Sequence, residues 1–190
     1  MMIRSLQSVV DRELAWRSLS PRGALGIVRR WRAGKLLALS DIYIPYRLYQ
    51  IKVDDHRVRS TRFLAVDAIS GALDPYEFAE SPLHGRCVEV DAANYLPAQL
   101  AEDDSRTLVL EKVRRLLFSG GFFRLVKPAI TTNLIGEFYI PYWAGFYGEA
   151  HNVSVLILNA VRGTIEGSKA SNLVKNWLLE RSSNDTPVPA

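Results

Sequence analysis

The sequence predicts an α+β fold built from two tandem helix–strand–strand repeats, with an antiparallel sheet and the helices packed on one face. Three observations lead there. The tetrapeptide Tyr-Ile-Pro-Tyr occurs at residues 43–46 and again at 139–142, 96 positions on. A second apolar run follows each copy: "FLAVDAISGAL" from Phe63 parallels "VLILNAVRGTI" from Val155, so that Asp67 answers Asn159, Ala68 answers Ala160 and Gly71 answers Gly163. A stretch with apolar residues at helical spacing precedes each copy. The offset shortens from 96 to 92 between the two runs, as a shorter second hairpin loop would produce, and turns tolerate such changes. Self-similarity at a near-constant spacing marks a repeated unit.

Taken in order, Ile3, Leu6, Val10 and Leu14 share one stripe and predict a first helix over residues 3–19. A second helix is expected from Ser20, a capping residue, through Pro21 at the first helical position to Gly34. Strands follow at Ile42–Val53 and Arg62–Ile69, both rich in β-branched and aromatic residues, with "DDHRVRST" as the turn between them. The alternation in the first of these slips near Leu48–Tyr49, which predicts either a bulge or a strand buried on both faces. "SGALDPYEFAESPLHGR" is punctuated by proline and glycine and reads as a loop, with a short strand at Cys87–Val90 after it. The second half repeats the scheme. A helix capped by Asp104 or Ser105 carries Leu108, Val109, Val113, Leu116 and Leu117, and stops at Gly120–Gly121. "FFRLV" is a short strand candidate, strands follow at Glu137–Tyr147 and Val153–Val161, and a last helix runs over 171–181 with Leu173, Val174, Trp177 and Leu178 inward. The first repeat with its linker thus occupies residues 1–90 and the second 91–181, and 182–190 is expected to be a disordered tail.

Each repeated residue has a physical use. Proline cannot donate to a ladder, so Pro45 and Pro141 belong at an edge, a strand start or a bulge. Asp67 and Asn159 make turns by bonding local backbone, and a glycine four positions later takes up positive φ. "YIPYWAGFY" and "VDAISGAL" resemble strand pairs of poorly characterised bacterial proteins, in which a Y-x-P-[FY]-W strand leads into one ending V-D-x-x-[ST]-G. The second signature also resembles the strand-turn of PepSY-type small α/β units. Over about 30 residues in each half the resemblance implies a strand hairpin and no activity. The chain departs from the pattern where Arg47 stands for the tryptophan, and where Asn159 and Arg162 stand for the Asp and the Ser or Thr.

The chain has 190 residues, 48% of them hydrophobic and 23% charged, a balance that allows a buried core. A single cysteine excludes an intramolecular disulfide framework and multi-cysteine metal sites, and fits a reducing cytoplasm. The most apolar stretch, 118–146, is broken by Arg124, Lys127, Pro128, Asn133, Glu137 and Pro141, so no spanning helix is expected. A cytoplasmic protein is the resulting expectation. The net charge of +4 hides an asymmetry: residues 1–36 carry +6, and residues 67–104 hold nine acids against Arg86 alone. Such faces attract each other or charged partners.

Signatures of catalysis are missing: there is no phosphate-cradling glycine loop, no zinc-binding HExxH, no EF-hand loop and no nucleophile elbow. No catalytic residue, metal or cofactor is assigned. His84 lies three residues before Cys87, the spacing of a thiolate pair or two metal ligands, but nucleophile and base usually meet across a fold, and a buried inert cysteine beside a loop histidine is the favoured reading. His56 and His151 occupy corresponding hairpin turns and read as solvated. The adjacent carboxylates Asp54–Asp55 suit a turn, and Asp103–Asp104 suit a helix start. The leading functional expectation is a non-enzymatic binding or scaffold protein of protein or peptide partners. It would use the duplicated aromatic strand through Tyr46, Arg47, Tyr142 and Trp143, with a sheet edge open to a partner or to a second copy. The alternative is nucleic-acid association through the basic helix 22–35, with Arg22, Arg29, Arg30, Arg32 and Lys35 around Trp31. A small enzyme dependent on Cys87 is the third.

Overall fold

Two long strands carry the two copies of Tyr-Ile-Pro-Tyr. The structure, a computed structural model, describes residues 1–20, 34–55, 58–119, 129–149 and 152–184. In chain order these form β1 (Met2–Leu6), α1 (Arg12–Leu19), β2 (Leu36–Asp55), β3 (Val58–Asp67), β4 (Tyr76–Phe78), a 3-10 turn (Pro82–His84), β5 (Cys87–Asp91), α2 (Glu102–Ser119), β6 (Ala129–Glu149), β7 (Asn152–Asn159) and α3 (Ser168–Asn184). The strand order is β4-β3-β2-β6-β1-β5, with β7 also paired to β6. The fold is α+β, and the sheet is mixed rather than antiparallel throughout. Its β1 runs parallel to β6, with Ser5 opposite Tyr139.

Packing divides the chain into two units: Met1–Leu6 with Ile44–Tyr139, and Gln7–Tyr43 with Ile140–Ala190. This partition differs from the sequence repeats 1–90 and 91–181. Two of its three crossing points, 43/44 and 139/140, fall between the first tyrosine and the isoleucine of Tyr-Ile-Pro-Tyr, and the third is at 6/7.

In the first unit, β2 and β3 pair without interruption from Tyr46↔Asp67 to Asp55↔Val58. The phase slip is therefore no bulge. Leu48 and Tyr49 are neighbours of opposite parity and both are 0% exposed, so β2 is buried on both faces. On one face Tyr49, Ile51, Leu64 and Val66 meet Val109 and Val113 of α2. Burying each such aliphatic side chain contributes roughly 1.5–3 kcal/mol. On the other, Tyr46, Tyr76, Phe78 and Phe138 form an aromatic cluster with centroid separations of 5.6–6.5 Å. The prolines sit where the hairpin ladders begin, since Tyr46 and Tyr142 are the first paired residues of theirs and neither Pro45 nor Pro141 has to donate there.

Several elements differ from the sequence expectation: α2 starts at Glu102, so Asp104 and Ser105 lie within it and do not cap it, and β6 starts at Ala129 rather than Glu137. Residues 2–6 are strand, not helix: β1 is held by β5 and by β6, and a ladder satisfies its backbone groups from outside the segment. The helix starts only after Asp11, whose Oδ1 accepts from Leu14 N–H at 2.8 Å, and Leu14 of the expected stripe is exposed. The acidic loop contains β4 and the 3-10 turn. The terminal helix extends to Asn184, so residues 182–184 of the expected tail are helical. The helix expected over 20–34 and the strand over 122–126 lie outside the described residues, except for Ser20 and Gly34.

The strand ends after β3 and β7 share one construction. Ala68 N–H donates to Pro45 O at 2.8 Å, and Ala160 N–H donates to Pro141 O at 3.1 Å. Asp67 Oδ1 accepts from the N–H groups of Ile69 (3.2 Å), Ser70 (2.7 Å) and Gly71 (2.9 Å), while Oδ2 accepts from Leu73 N–H at 2.8 Å. Asn159 Oδ1 accepts from Val161 N–H (3.1 Å) and Arg162 N–H (3.0 Å). Gly71 and Gly163 then turn the chain at φ 65° and 70°, a region that disfavours any side chain.

In the second unit, α1 packs on the face of β6 and β7 that carries Trp143, Tyr147, Leu156 and Leu158. Tyr147 Oη donates to Leu19 O at 2.5 Å and ties the helix end to the strand. In α3, Ala170, Ser171 and Val174 are buried, and Leu173, Trp177 and Leu178 are half-buried.

Candidate functional site

The heptapeptides Asp41–Arg47 and Glu137–Trp143 lie in extended strands, so alternate side chains face opposite ways. The even-numbered residues are core. Ile42, Ile44, Tyr46, Phe138, Ile140 and Tyr142 are all at most 1% exposed. Of the odd-numbered ones, Pro45 and Pro141 are buried, while Asp41, Tyr43, Arg47, Glu137, Tyr139 and Trp143 keep part of their surface in solvent. Of the four side chains expected to meet a partner, Tyr46 and Tyr142 therefore pack into the interior.

Arg47 and Trp143 are anchored rather than free. Arg47 has a side chain only 11% exposed, its Nε donates to Glu137 Oε1 at 2.6 Å, and its Nη1 donates to Leu100 O (2.7 Å) and Ser105 Oγ (3.1 Å). Trp143 Nε1 donates to Val10 O at 2.9 Å. These two carbonyls occupy matching places. The N–H groups of Gln99 and Leu100 both donate to Ala68 O, and those of Val9 and Val10 both donate to Ala160 O, each at 2.9 Å. A guanidinium in one unit and an indole in the other thus reach the carbonyl of the segment that leads into the following helix.

Ser105, fully buried, extends the Arg47 network. Its Oγ donates to Glu102 O at 2.8 Å and shares a 2.5 Å hydrogen bond with Tyr49 Oη. Burial raises the Tyr49 phenol above its ordinary pKa, against the opposing pull of Ser105 and the Arg47 charge. Among the described residues the network joins Arg47, Glu137, Ser105 and Tyr49.

The first tyrosine of each motif is also partly presented to solvent. Tyr139 meets Tyr95 edge to face, with centroids 6.4 Å apart and an interplanar angle of 89°. Both rings are half-buried, and the Glu137 side chain beside them is 47% exposed. Burial, then the negative charge of Glu137 and Tyr95, push the Tyr139 phenol above its ordinary pKa. In the other unit burial and Asp41, through its charge and a hydrogen bond, raise Tyr43 in the same direction. Both phenols keep their protons at neutral pH. Residue parity could have identified this pair from sequence, because an acid two positions before a strand tyrosine shares its face.

The other candidates separate. Cys87 is half-buried on β5, and burial raises its thiol pKa despite the opposing charges of Arg4 and Arg86, which leaves little thiolate for attack. His84 is exposed on the 3-10 turn. No group of three His, Cys, Asp or Glu able to hold a metal occurs among the described residues. Lys35 is exposed; Arg22, Arg29, Arg30 and Arg32, like His56 and His151, lie outside the described residues. No helix among the described residues is long and apolar enough to cross a membrane.

No protein-family model matches the chain, and no curated protein or solved structure matches it.

Proposed function

We propose that the chain is a non-enzymatic binding protein whose partner docks on the solvent-facing first tyrosine of its repeated motif and on the acid two residues before it. One observation carries this reading. In each copy the second tyrosine is spent on the core, while the first is left partly exposed beside a carboxylate, Asp41 with Tyr43 and Glu137 with Tyr139. Burial of the first tyrosines would suit stability better, and amphipathic phenol rings at a surface suit recognition. Tyr95 enlarges the surface beside Tyr139. The reading includes a duplicated helix–strand–strand unit. Its supports are the paired turns at Asp67 and Asn159, the paired bonds to Pro45 O and Pro141 O, and the shared carbonyl target of Arg47 and Trp143.

The test is affinity co-purification at low and moderate salt with the wild type, Tyr139→Ala, Tyr43→Ala and Cys87→Ala. The expected result is a partner retained by wild type and Cys87→Ala and lost from a tyrosine variant that remains folded by circular dichroism. A partner held equally by all four proteins, or no partner at all, would refute the reading.

A further inference from the structure

We propose that the surface formed by Tyr95, Tyr139 and Glu137 recognises a guanidinium group, the side chain of an arginine presented by an extended basic peptide. This rests on the binding reading above and adds to it the chemistry of the partner. The carboxylate is set in place before any ligand arrives. Its Oε1 accepts from Arg47 Nε, whose guanidinium is held in turn by Leu100 O and Ser105 Oγ, whereas Glu137 Oε2 accepts no hydrogen bond among the described residues. One acceptor oxygen on a fixed carboxylate is what a guanidinium N–H needs, and a fixed acceptor costs little ordering on binding.

Glu137 and Tyr139 share one face of β6, two residues apart, and the Tyr95 ring meets Tyr139 at 89°, so a cation bound at Glu137 has aromatic surface within its reach. Aromatic faces attract cations, and the flat, weakly hydrated guanidinium stacks on them better than an ammonium does. The first unit already holds one such contact, Arg86 over the Phe78 ring at 5.4 Å. The surrounding charge acts in the same sense. Eight of the nine acids between residues 67 and 104, the stretch that contains Tyr95, are exposed, and Arg86 is its one Lys or Arg, a balance that favours a basic partner over an anionic one. The bound Arg47 opposes a second cation, but its Nε and Nη1 are already committed to internal acceptors.

The experiment titrates the full chain with acetylated, amidated Gly-Gly-Xaa-Gly-Gly peptides, where Xaa is Arg, Lys, citrulline or Glu, and follows the aromatic carbon-bound protons of Tyr95 and Tyr139 by NMR at low salt. Expected is a saturable shift of both rings by the Arg peptide, weaker with Lys and lost with citrulline and Glu. Tyr95→Ala, which lies outside every helix and strand, should weaken the Arg peptide about two- to five-fold, the range for an exposed cation–π contact. Glu137→Gln should weaken it at least as much, and added salt should weaken wild-type binding. Equal response to citrulline or Glu would overturn the guanidinium assignment while leaving docking at Tyr139 standing. Arg binding unchanged in both variants would overturn the site itself, as would the absence of any shift with Arg at millimolar peptide.

Discussion

Asp67 is a buried carboxylate whose role can be isolated by changing one heavy atom. It is 0% exposed and accepts from four backbone N–H groups, together with Ser70 Oγ at 3.2 Å. Asp67→Asn keeps the shape and one carbonyl-type oxygen. If that oxygen takes the Oδ1 place, the bonds from Ile69, Ser70 and Gly71 persist as neutral ones, and the new amide nitrogen faces Leu73 N–H, donor against donor. A hydrogen bond to a charged group contributes about 1.5–3 kcal/mol net and a neutral one about 0.5–1.5, while an orphaned buried donor costs about 1–3. Loss of the Leu73 bond and weakening of the others add up to roughly 2–4 kcal/mol. Urea unfolding at pH 7, monitored by tryptophan fluorescence, should show the midpoint falling with an unchanged slope. The second unit supplies the control, because Asn159 already occupies the matching place with two accepted backbone bonds and an Nδ2 that donates to Glu166 Oε1 at 2.7 Å. Asn159→Asp puts a carboxylate against Glu166 and should destabilise, and adding Glu166→Gln should recover most of the loss. A cost below about 0.5 kcal/mol for Asp67→Asn would refute the claim that the charge organises this turn.

Three further outcomes follow from the same geometry. Arg47→Met should cost more than Trp143→Phe by denaturant melts, about 2–4 against about 1–2 kcal/mol, since the first removes three donated bonds and the second one. Gly71→Ala should cost more than Gly163→Ala, in the range of about 1–3 kcal/mol: both residues have positive φ, but a Cβ at Gly71 would overlap the Leu108 side chain, whereas at Gly163 the nearest atom is Val10 Cγ2 at 3.8 Å. The raised Tyr139 pKa means that the folded chain holds this proton more tightly than the unfolded chain. Its contribution to stability is complete below the unfolded value near 10 and is lost as pH rises through the folded one. Tyr139→Phe should therefore flatten the alkaline decline of stability as pH rises above the unfolded tyrosine value relative to wild type, and parallel curves would contradict the assignment.

The hairpins were legible because their signals are local. Asp67 and Asn159 bond to backbone within a few residues of themselves, and the glycine four positions on supplies the φ that the turn requires. The N-terminal strand was illegible for the opposite reason. Ile3, Leu6 and Val10 fit a helical stripe, and only partners far along the chain, β5 and β6, turn residues 2–6 into strand. Parity in β2 was ambiguous because burial on both faces removes the alternation on which strand reading depends. The expected site failed at Tyr46 and Tyr142 through a similar gap: aromatic density marks a strand as important but does not say which face meets water, whereas the charges of Asp41 and Glu137 do.

The difference between the copies at Arg47 and Trp143 carries a consequence for recognition under the repeat reading. Both side chains satisfy the same carbonyl position, so the change is neutral for that bond. It is not neutral for the acid. In the first unit Arg47 Nε holds Glu137 by one oxygen and leaves the other open. In the second, the matching position is an indole without charge, and the matching acid, Asp41, adds to burial in raising the pKa of its own Tyr43. Deleting the guanidinium should therefore do more than destabilise: it should release Glu137 from the place in which Arg47 holds it. A folded Arg47→Trp chain would then bind the arginine peptide more weakly than wild type even though a positive charge has been removed from the neighbourhood. If simple charge repulsion governed the site, the same substitution would strengthen binding, so the sign of the change decides between a carboxylate held in place and a merely acidic surface.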